Sequence, residues 1–193
     1  TYDPKAVYSS IDHNGRYAFG NQPKMIKWNI LRFAEALLPI IHVNEKKAVQ
    51  LAESVIIKFD EIWKKKYYRM MLRKIGFDSN DIKLFPLIDE LLILMRKLKL
   101  DYTNTFSYLT HDILSTNQLI NNTDFINWQK KWNKSLKNRN KIREANFLMR
   151  KNNPLFIARN HLVDRAIKRA VSGDMGFIDK LLEILSKPYE YQD

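Results

Sequence analysis

The stretch Tyr2–Pro39, YDPKAVYSSIDHNGRYAFGNQPKMIKWNILRFAEALLP, joins an irregular polar segment to the start of a helix. Gly15 and Gly20 bracket a run of large side chains, so flexible points alternate with bulky residues. After Pro23, apolar residues recur at helical spacing, namely Trp28, Leu31, Ala34, Leu38 and Ile41. The pattern predicts a loop over residues 1–23 that leads into a buried helix from about Lys24 to Ile41.

Three polar side chains of this loop are the candidate site residues. Arg16 can hold a phosphate or a carboxylate through two parallel hydrogen bonds, and the amides of Asn21 and Gln22 can position that group. Sites often lie on long ordered loops, because the scaffold holds the loop while its polar groups stay accessible. The alternative is that Arg16 and Asn21 only brace the loop by hydrogen bonding to backbone groups, which is favoured for this chain alone.

Helical stripes continue along the chain. Asn44 predicts the start of a second helix whose apolar stripe runs to about Lys74, which would make it the longest helix. Gly76 is predicted to end this helix in the left-handed conformation. Pro86 suits the first turn of the next helix, whose wide apolar face places it at the centre of a bundle.

Aromatic residues and lysines alternate in the segment that follows. Phe125, Trp128, Trp132 and Leu136 fall at spacings of three and four and therefore share one helix face. Aromatic residues among lysines can bind single-stranded nucleic acid by stacking and phosphate contacts. Here the periodicity separates the two sets, so we expect the tryptophans in the core and nucleic acid not to bind there. The lysines of the solvated face are Lys130, Lys131, Lys134 and Lys137.

The remaining elements are also helical. Thr103 is predicted to cap a short helix, and a basic helix follows over residues 139–151. A closing helix pair ends at Pro188, with Asp174 as the cap of its second member. With no strand pattern or repeat, the sequence predicts an all-α fold: a single helical domain over residues 1–193, of which residues 24–193 form a multi-helix bundle.

Composition limits the classes of function. The chain of 193 residues has a net charge of +12. It has no cysteine, so it forms no disulfide or thiolate metal site. No apolar run approaches the ~20 residues that span a bilayer, and no secretory signal opens the chain. We expect a soluble protein of the bacterial cytoplasm without membrane contact. The charge leaves one alternative: basic helices over Lys64–Lys74 and Lys130–Lys151 could form a binding module for nucleic acid or an acidic partner.

Patterns typical of catalytic and metal sites are missing. Four scattered histidines, His13, His42, His111 and His161, predict no metal site made by this chain alone. The glycines of the loop do not form a phosphate-binding fingerprint. Ser9, Ser10, Asp12 and His13 include nucleophile types, but neighbours on a loop seldom face one another in triad geometry. Glu35 could be a buried acid, but it is expected instead to pair with Arg32 or with a neighbouring backbone amide. We predict no catalytic, cofactor-binding or metal-binding residue.

Several short sequence motifs, called words below, occur in a fixed order along the chain and carry a family resemblance. They are SSID, GRYAFGNQP and FAEALLP in the opening stretch, then MLRKIGF, LIDELLILM, DYTNTF, the Trp128/Trp132 pair, NNPLFIARNHLVDRAI and LLEILSKPYEYQ. In order and spacing they resemble the selenoprotein O family. Its members have a protein-kinase-like fold and transfer AMP from ATP to Ser, Thr or Tyr of proteins. The resemblance therefore implies that the bundle is the C-terminal part of a kinase-like fold.

The resemblance also implies that the catalytic motifs lie outside this chain. In that family the phosphate-gripping loop, the catalytic Asp and the metal-binding residues lie upstream of the YDP word, which stands here at residues 2–4. No residue of this chain matches them, so we expect a fragment of a larger enzyme that is inactive alone. Its partners would be an upstream catalytic half, on the same or a separate chain, and protein substrates. ATP and Mg²⁺ are implied for the intact enzyme, and the loop over residues 1–23 would face its cleft.

Overall fold

The computed structural model describes residues 1–111, 122–137 and 142–190, and within these ranges it contains helices and no β-strand. The all-α prediction is confirmed. The side chain of His111 and residues 139–141 of the predicted basic helix lie outside the described residues. No helix in the described ranges is long and apolar enough to cross a membrane. The α-helices are α1 (Gln22–Ile41), α2 (Glu45–Ile56), α3 (Phe59–Lys74), α4 (Phe85–Lys97), α5 (Tyr102–His111), α6 (Thr123–Lys137), α7 (Ile142–Asn152), α8 (Asn160–Val171) and α9 (Gly176–Ser186).

The chain divides into two compact units, unit 1 (Thr1–Met70) and unit 2 (Met71–Asp193). The boundary falls within α3. Short 3₁₀ helices at Phe19–Asn21 and Ile82–Leu84 precede α1 and α4. The prediction of one helical domain over residues 1–193 stays a prediction.

In unit 1, α1 packs against α2. Every residue of α1 is exposed or half-buried, so the prediction of a buried helix is wrong. Leu31 and Leu38 are half-buried, whereas Phe33 is 64% and Ile40 is 80% exposed. The reason is that the apolar residues of α1 occupy more than one face, while α2 covers one of them.

The predicted second helix consists of two helices. α2 ends at Ile56 and α3 begins at Phe59, so the prediction of one helix up to Lys74 is wrong, and α1 with its 20 residues is longer than either. Val55 and Ile57 at the break are 69% and 78% exposed. This part of the stripe has little packing to hold a continuous helix. Its consecutive β-branched residues also lose side-chain freedom in a helix.

Several predicted helix ends are confirmed. Asn44 Oδ1 accepts a hydrogen bond from the Lys47 amide at 3.0 Å, as an N-cap should. Gly76 follows α3 with a φ of +89°. The prediction that Asp174 caps the last helix is wrong, because Met175 occupies the N-cap position. Asp174 lies one residue earlier, where its Oδ1 accepts instead from the Gly176 amide at 3.0 Å.

The tryptophans of α6 form the core of unit 2. Trp128 and Trp132 are 1% and 5% exposed, and their rings stack with centroids 5.7 Å apart. Nε1 of Trp128 donates to the Leu87 carbonyl at 2.9 Å, and Nε1 of Trp132 donates to the Ile75 carbonyl at 2.8 Å. The predicted core face is confirmed, and these rings are closed to a stacking base. The lysines Lys130, Lys131, Lys134 and Lys137 are exposed, as predicted.

Helix α4 supplies the facing side of this core. Leu87, Ile88, Leu91 and Met95 are buried, and α4 packs on α6. Pro86 lies in the first turn, as predicted. Ile93, which extends the apolar face of α4, is 65% exposed, so α4 is left uncovered on that side.

Polar groups at the ends of α3 and α7 satisfy each other. Lys74 Nζ donates to the Asn152 carbonyl at 2.9 Å and to Asn153 Oδ1 at 3.3 Å. The buried Asn153 amide returns a hydrogen bond to the Lys74 carbonyl and gives another to Thr110 Oγ1, both at 2.8 Å. These bonds join the MLRKIGF and NNPLFIARN words. Burial lowers the pKa of Lys74 to about 8.

A second polar contact joins the DYTNTF and NNPLFIARN words. Arg159 donates to both carboxylate oxygens of Asp101, at 2.7 and 3.0 Å, and to Asn104 Oδ1 at 3.1 Å. The hydrogen bond from Arg159 holds the pKa of the Asp101 carboxyl below its usual value. Asp101 Oδ1 also accepts from the Asn104 amide at 2.8 Å. Asp101 therefore caps α5, and the prediction that Thr103 does so is wrong, because Thr103 already lies within the helix.

Two glycines with similar backbone angles differ in what surrounds them. Gly76 (φ +89°) is so close to α7 that an added Cβ would lie 2.8 Å from Ala145 Cβ, whereas Gly173 (φ +92°) has no atom within 4 Å of that position. We expect Gly173→Ala to lower the free energy of unfolding by about 1 kcal/mol through backbone strain. We expect Gly76→Ala to lower it by about 3 kcal/mol, because overpacking adds to the same strain. Urea denaturation measures both, and equal losses would contradict the close packing at Gly76.

The lowered pKa of Lys74 predicts a pH dependence of stability. Between about pH 8 and the ordinary lysine value of 10.5, the unfolded chain keeps a proton at this position that the folded chain has released. The free energy of unfolding should therefore gain an increment as the pH rises through this window. Urea titrations at pH 7.5 and 10 should show this increment in the wild type and in the control Lys65→Met, whose lysine is exposed. Its persistence in Lys74→Met would contradict the assignment.

Candidate functional site

The loop before α1 is held by backbone contacts with the first residues of the chain. The Phe19 amide donates to the Ala6 carbonyl at 2.9 Å, and the Gly20 amide donates to the Pro4 carbonyl at 2.7 Å. An added Cβ on Gly20 would lie 2.8 Å from that same carbonyl oxygen. Glycine at position 20 therefore permits the close approach that closes the loop.

Asp12 fixes the central turn of the loop. One of its carboxylate oxygens accepts from the Arg16 amide and the other from the Tyr17 amide, each at 2.8 Å. Gly15 has a φ of +64° and so provides the left-handed conformation of the turn between Asp12 and Arg16. Sequence reasoning considered Asp12 only within a run of nucleophile types and missed this role. The signal was present, because the run Asp12-His13-Asn14-Gly15 combines an Asp with Asn-Gly, and these residues are typical of turns bonded by a side chain.

Asn21 and Gln22 brace the same turn from its other side. The Asn21 amide donates to the Gly15 carbonyl at 2.8 Å, and the Gln22 amide donates to the Tyr17 carbonyl at 2.9 Å. Their nitrogen atoms are thus engaged with the loop backbone, as the bracing interpretation expects. Each side chain keeps an oxygen that can accept a further hydrogen bond.

Arg16 is placed differently from the two amides. Its guanidinium lies over the Trp28 ring at 4.5 Å and within 5.7 Å of the Tyr17 ring centroid, and its Nε contacts Met25 Sδ at 3.3 Å. Its terminal nitrogens donate to no group among the described residues, and the residue is exposed. Stacking on an aromatic face orients a guanidinium while leaving its outer edge open to an anion.

Trp28 also lies beside a second arginine. The guanidinium of Arg32 is 5.7 Å from the ring centroid, and its Nη2 forms an ion pair with Glu35 Oε1 at 2.6 Å. Glu35 is therefore a surface carboxylate paired with Arg32, as predicted, and is not a buried acid. Of the two arginines beside Trp28, Arg32 has a carboxylate partner. Arg16 forms no ion pair with any residue that the structure describes.

The described part of the chain offers no site for a divalent metal ion such as Mg²⁺. Within residues 1–111, 122–137 and 142–190 there is no group of three or more His, Asp or Glu side chains that could hold a metal ion. His42 Nδ1 accepts from the Asn44 amide at 2.9 Å, which is a local turn contact. The residues described therefore do not fit a magnesium site, and no reaction step is assigned to the ion here.

The contacts of Asp12 predict how rigid the loop is. Asp12→Ala removes the acceptors of two amides, so we expect the Arg16 and Tyr17 amides to exchange with deuterium at least about tenfold faster. Asn14→Ala is the control, because the exposed Asn14 side chain has no hydrogen-bond partner among the described residues. Hydrogen exchange measured by NMR compares the variants. Unchanged exchange in Asp12→Ala would show that the carboxylate does not hold the turn.

Comparison with known proteins places the chain in a family. The family model described as protein adenylyltransferase SelO matches residues 1–186. The protein nucleotidyltransferase YdiU of Clostridium beijerinckii is 42% identical over 194 residues, which cover 100% of this chain and 40% of the relative. YdiU of Bacillus cereus (strain B4264) is 42% identical over 192 residues, 98% of this chain and 39% of the relative. YdiU of Clostridium perfringens (strain ATCC 13124) is 43% identical over 192 residues, 99% of this chain and 39% of the relative.

The chain thus spans about 40% of the length of the curated relatives that it matches. The matches cover both units and include every word on which the resemblance rests up to residue 186. They confirm that resemblance. This chain belongs to the family of the protein adenylyltransferase SelO.

Proposed function

We propose that this chain is the C-terminal helical part of a SelO-like protein adenylyltransferase, an enzyme that transfers AMP from ATP to Ser, Thr or Tyr side chains of proteins. The observation that carries the proposal is the family match over residues 1–186 together with a coverage of only 40% of a relative. The resemblance puts the catalytic and metal-binding motifs in the portion upstream of the YDP word. ATP, Mg²⁺ and the reacting groups then belong to that portion.

The helices of this chain act as a scaffold in the proposed enzyme. Unit 2 supports this role, because its family words meet in structural contacts: Lys74 with Asn153, Arg159 with Asp101, and Trp132 with the Ile75 carbonyl. Side chains that satisfy one another in this way are engaged in packing and are not available to bind substrate. The proposal therefore assigns direct participation to unit 1 and its loop.

The loop would present Arg16 toward the active-site cleft of the intact enzyme. Three features of Arg16 support this role. Its guanidinium is oriented by Trp28, and the turn that carries it is fixed by Asp12. The terminal nitrogens of Arg16 donate to no described residue. An arginine in this state can contact a phosphate of the nucleotide or an acidic group of the protein substrate. Asn21 and Gln22 act indirectly by holding the turn in place.

A chimera tests the proposal. This chain would replace the matching 40% of YdiU from Clostridium beijerinckii, and AMP transfer from ATP to protein would be measured with radiolabelled nucleotide and magnesium. We expect transfer by the chimera and none by this chain alone or by the relative with the segment deleted. An inactive but folded chimera would contradict the proposed scaffold role. Magnesium-dependent transfer by the chain alone would contradict its inertness.

Substitutions in the chimera test the role of Arg16. We expect Arg16→Gln to lower kcat/KM by about tenfold or more, because one charge-assisted contact is worth about 1.5–3 kcal/mol. Arg16→Lys should restore only part of the loss, since an ammonium lacks the planar two-pronged geometry. Arg32→Gln is the matched control, because Arg32 lies beside the same tryptophan but is paired with Glu35. Equal losses in Arg16→Gln and Arg32→Gln would indicate a packing effect instead.

A further inference from the structure

An open cleft lies in unit 1 between the start of α1 and the first part of α3. Its volume is about 620 Å³. Its lining residues all fall within Thr1–Met70. From α1 they are Pro23, Lys24 and Lys27, and from α3 they are Phe59, Asp60, Trp63, Lys64, Tyr67 and Tyr68.

The α3 residues of the cleft form two adjacent rows along one helix face. Phe59, Trp63 and Tyr67 are spaced four apart and make an aromatic row, because residues at i and i+4 lie one above the other. The neighbouring row contains Lys64 and Tyr68. The Trp63 and Tyr67 rings stack with centroids 4.8 Å apart and an angle of 15° between their planes. The Trp63 and Tyr67 rings therefore form an ordered parallel stack, to whose end a further flat ring can add.

Helix α3 differs in this respect from α6, which also mixes aromatic residues with lysines. In α6 the tryptophans are buried, and the lysines lie on the opposite, exposed face. In α3 the half-buried Trp63 and the exposed Lys64 line the same cleft. In α6 the aromatic residues and the lysines lie on different faces, which argues against a site that combines stacking with phosphate contacts. In α3 they lie on one face, which favours such a site.

The charge of the cleft is positive. It contains three lysines and one carboxylate, that of Asp60, which forms an ion pair with Lys27 across the cleft. Lys24 and Lys64 form no ion pair with any residue that the structure describes. An anionic group in the cleft would therefore meet two lysines that have no competing internal carboxylate.

We propose that this cleft binds a mononucleotide, with the base stacked on the Trp63–Tyr67 row and the phosphate held by Lys24 and Lys64. An ordered aromatic stack next to cations without an ion-pair partner is the combination that nucleotides recognise, and stacking accepts any base. The volume lies in the range of small-molecule sites, about 300–1,000 Å³, which favours one nucleotide over a strand or an extended acidic peptide. The inference is independent of AMP transfer, since it concerns binding by this chain alone.

Fragments of the ligand test the two halves of the site separately. Binding of AMP, CMP, adenosine and ribose 5-phosphate to the full chain would be measured by saturation-transfer NMR and calorimetry. We expect AMP and CMP to bind alike, and adenosine and ribose 5-phosphate to bind more weakly, since each lacks one of the two contacts.

Two variants should separate the contacts. Trp63→Leu should weaken AMP and adenosine by about tenfold and leave ribose 5-phosphate unchanged, because it removes one stacking partner. The double change Lys24→Gln and Lys64→Gln should weaken AMP and ribose 5-phosphate and leave adenosine unchanged. That second effect should be large at about 0.01 M salt and nearly vanish at about 1 M, where charges are screened.

The matched control is the double change Lys65→Gln and Lys66→Gln, which removes two exposed lysines of α3 that do not line the cleft. It has the same net charge as the test variant, so it should bind AMP as the wild type does. Circular dichroism shows whether each variant folds. If Trp63→Leu does not fold, the double lysine variant still tests the site. An absence of saturable AMP binding overturns the proposal, as do equal losses in both lysine variants. Displacement of AMP by a lower concentration of a glutamate-rich peptide or of a single-stranded oligonucleotide would overturn it as well.

Discussion

Unit 2 depends on how the ends of α3 and α7 satisfy each other. A lysine ammonium taken out of water is costly unless oxygens replace the lost water, and here the Asn152 carbonyl and Asn153 Oδ1 do so. Asn153 in turn is buried and needs partners for its own amide, which the Lys74 carbonyl and Thr110 supply. Because each group serves the other, neither can be replaced alone without leaving an unsatisfied polar atom. The arrangement fixes the register between two segments nearly eighty residues apart and so defines where the helices between them must pack.

Unit 1 follows a different principle. Its helices bury few side chains completely, and Ala18 and Ala48 are its buried apolar residues among those described. Order in the loop comes instead from local hydrogen bonds between the backbone and the side chains of Asp12, Asn21 and Gln22. These bonds hold the turn without a large core. This division is consistent with the proposed function, in which unit 2 is a scaffold and the loop of unit 1 contacts the nucleotide or the protein substrate. The conformational freedom that Arg16 would lose on contacting an anion is already reduced by its stacking on Trp28.

The elements that sequence reasoning located correctly are those in which one helix carries its own signal. The spacing of Phe125, Trp128 and Trp132 is sufficient to show a buried face, and Asn44 is sufficient to show a helix start. The failures depend on other parts of the chain. The stripe through Val55 and Ile57 is periodic, but nothing in its spacing shows that it lacks a packing partner. Likewise, the cleft needs lysines from α1 beside aromatic residues of α3, and no pattern within either helix reveals that they meet. For Arg16, the residue type is visible in the sequence, but its stacking on Trp28 is not.

The distribution of the tryptophans has a practical consequence. Trp28 and Trp63 lie in unit 1 and are exposed or half-buried, whereas Trp128 and Trp132 lie in unit 2 and are almost fully enclosed. An indole in water fluoresces at longer wavelength than one in an apolar interior. The intrinsic emission of the chain is therefore a sum of a red component from one unit and a blue component from the other. Unfolding of unit 2 would shift the blue component to longer wavelength, so the unfolding of that unit is readable without a label.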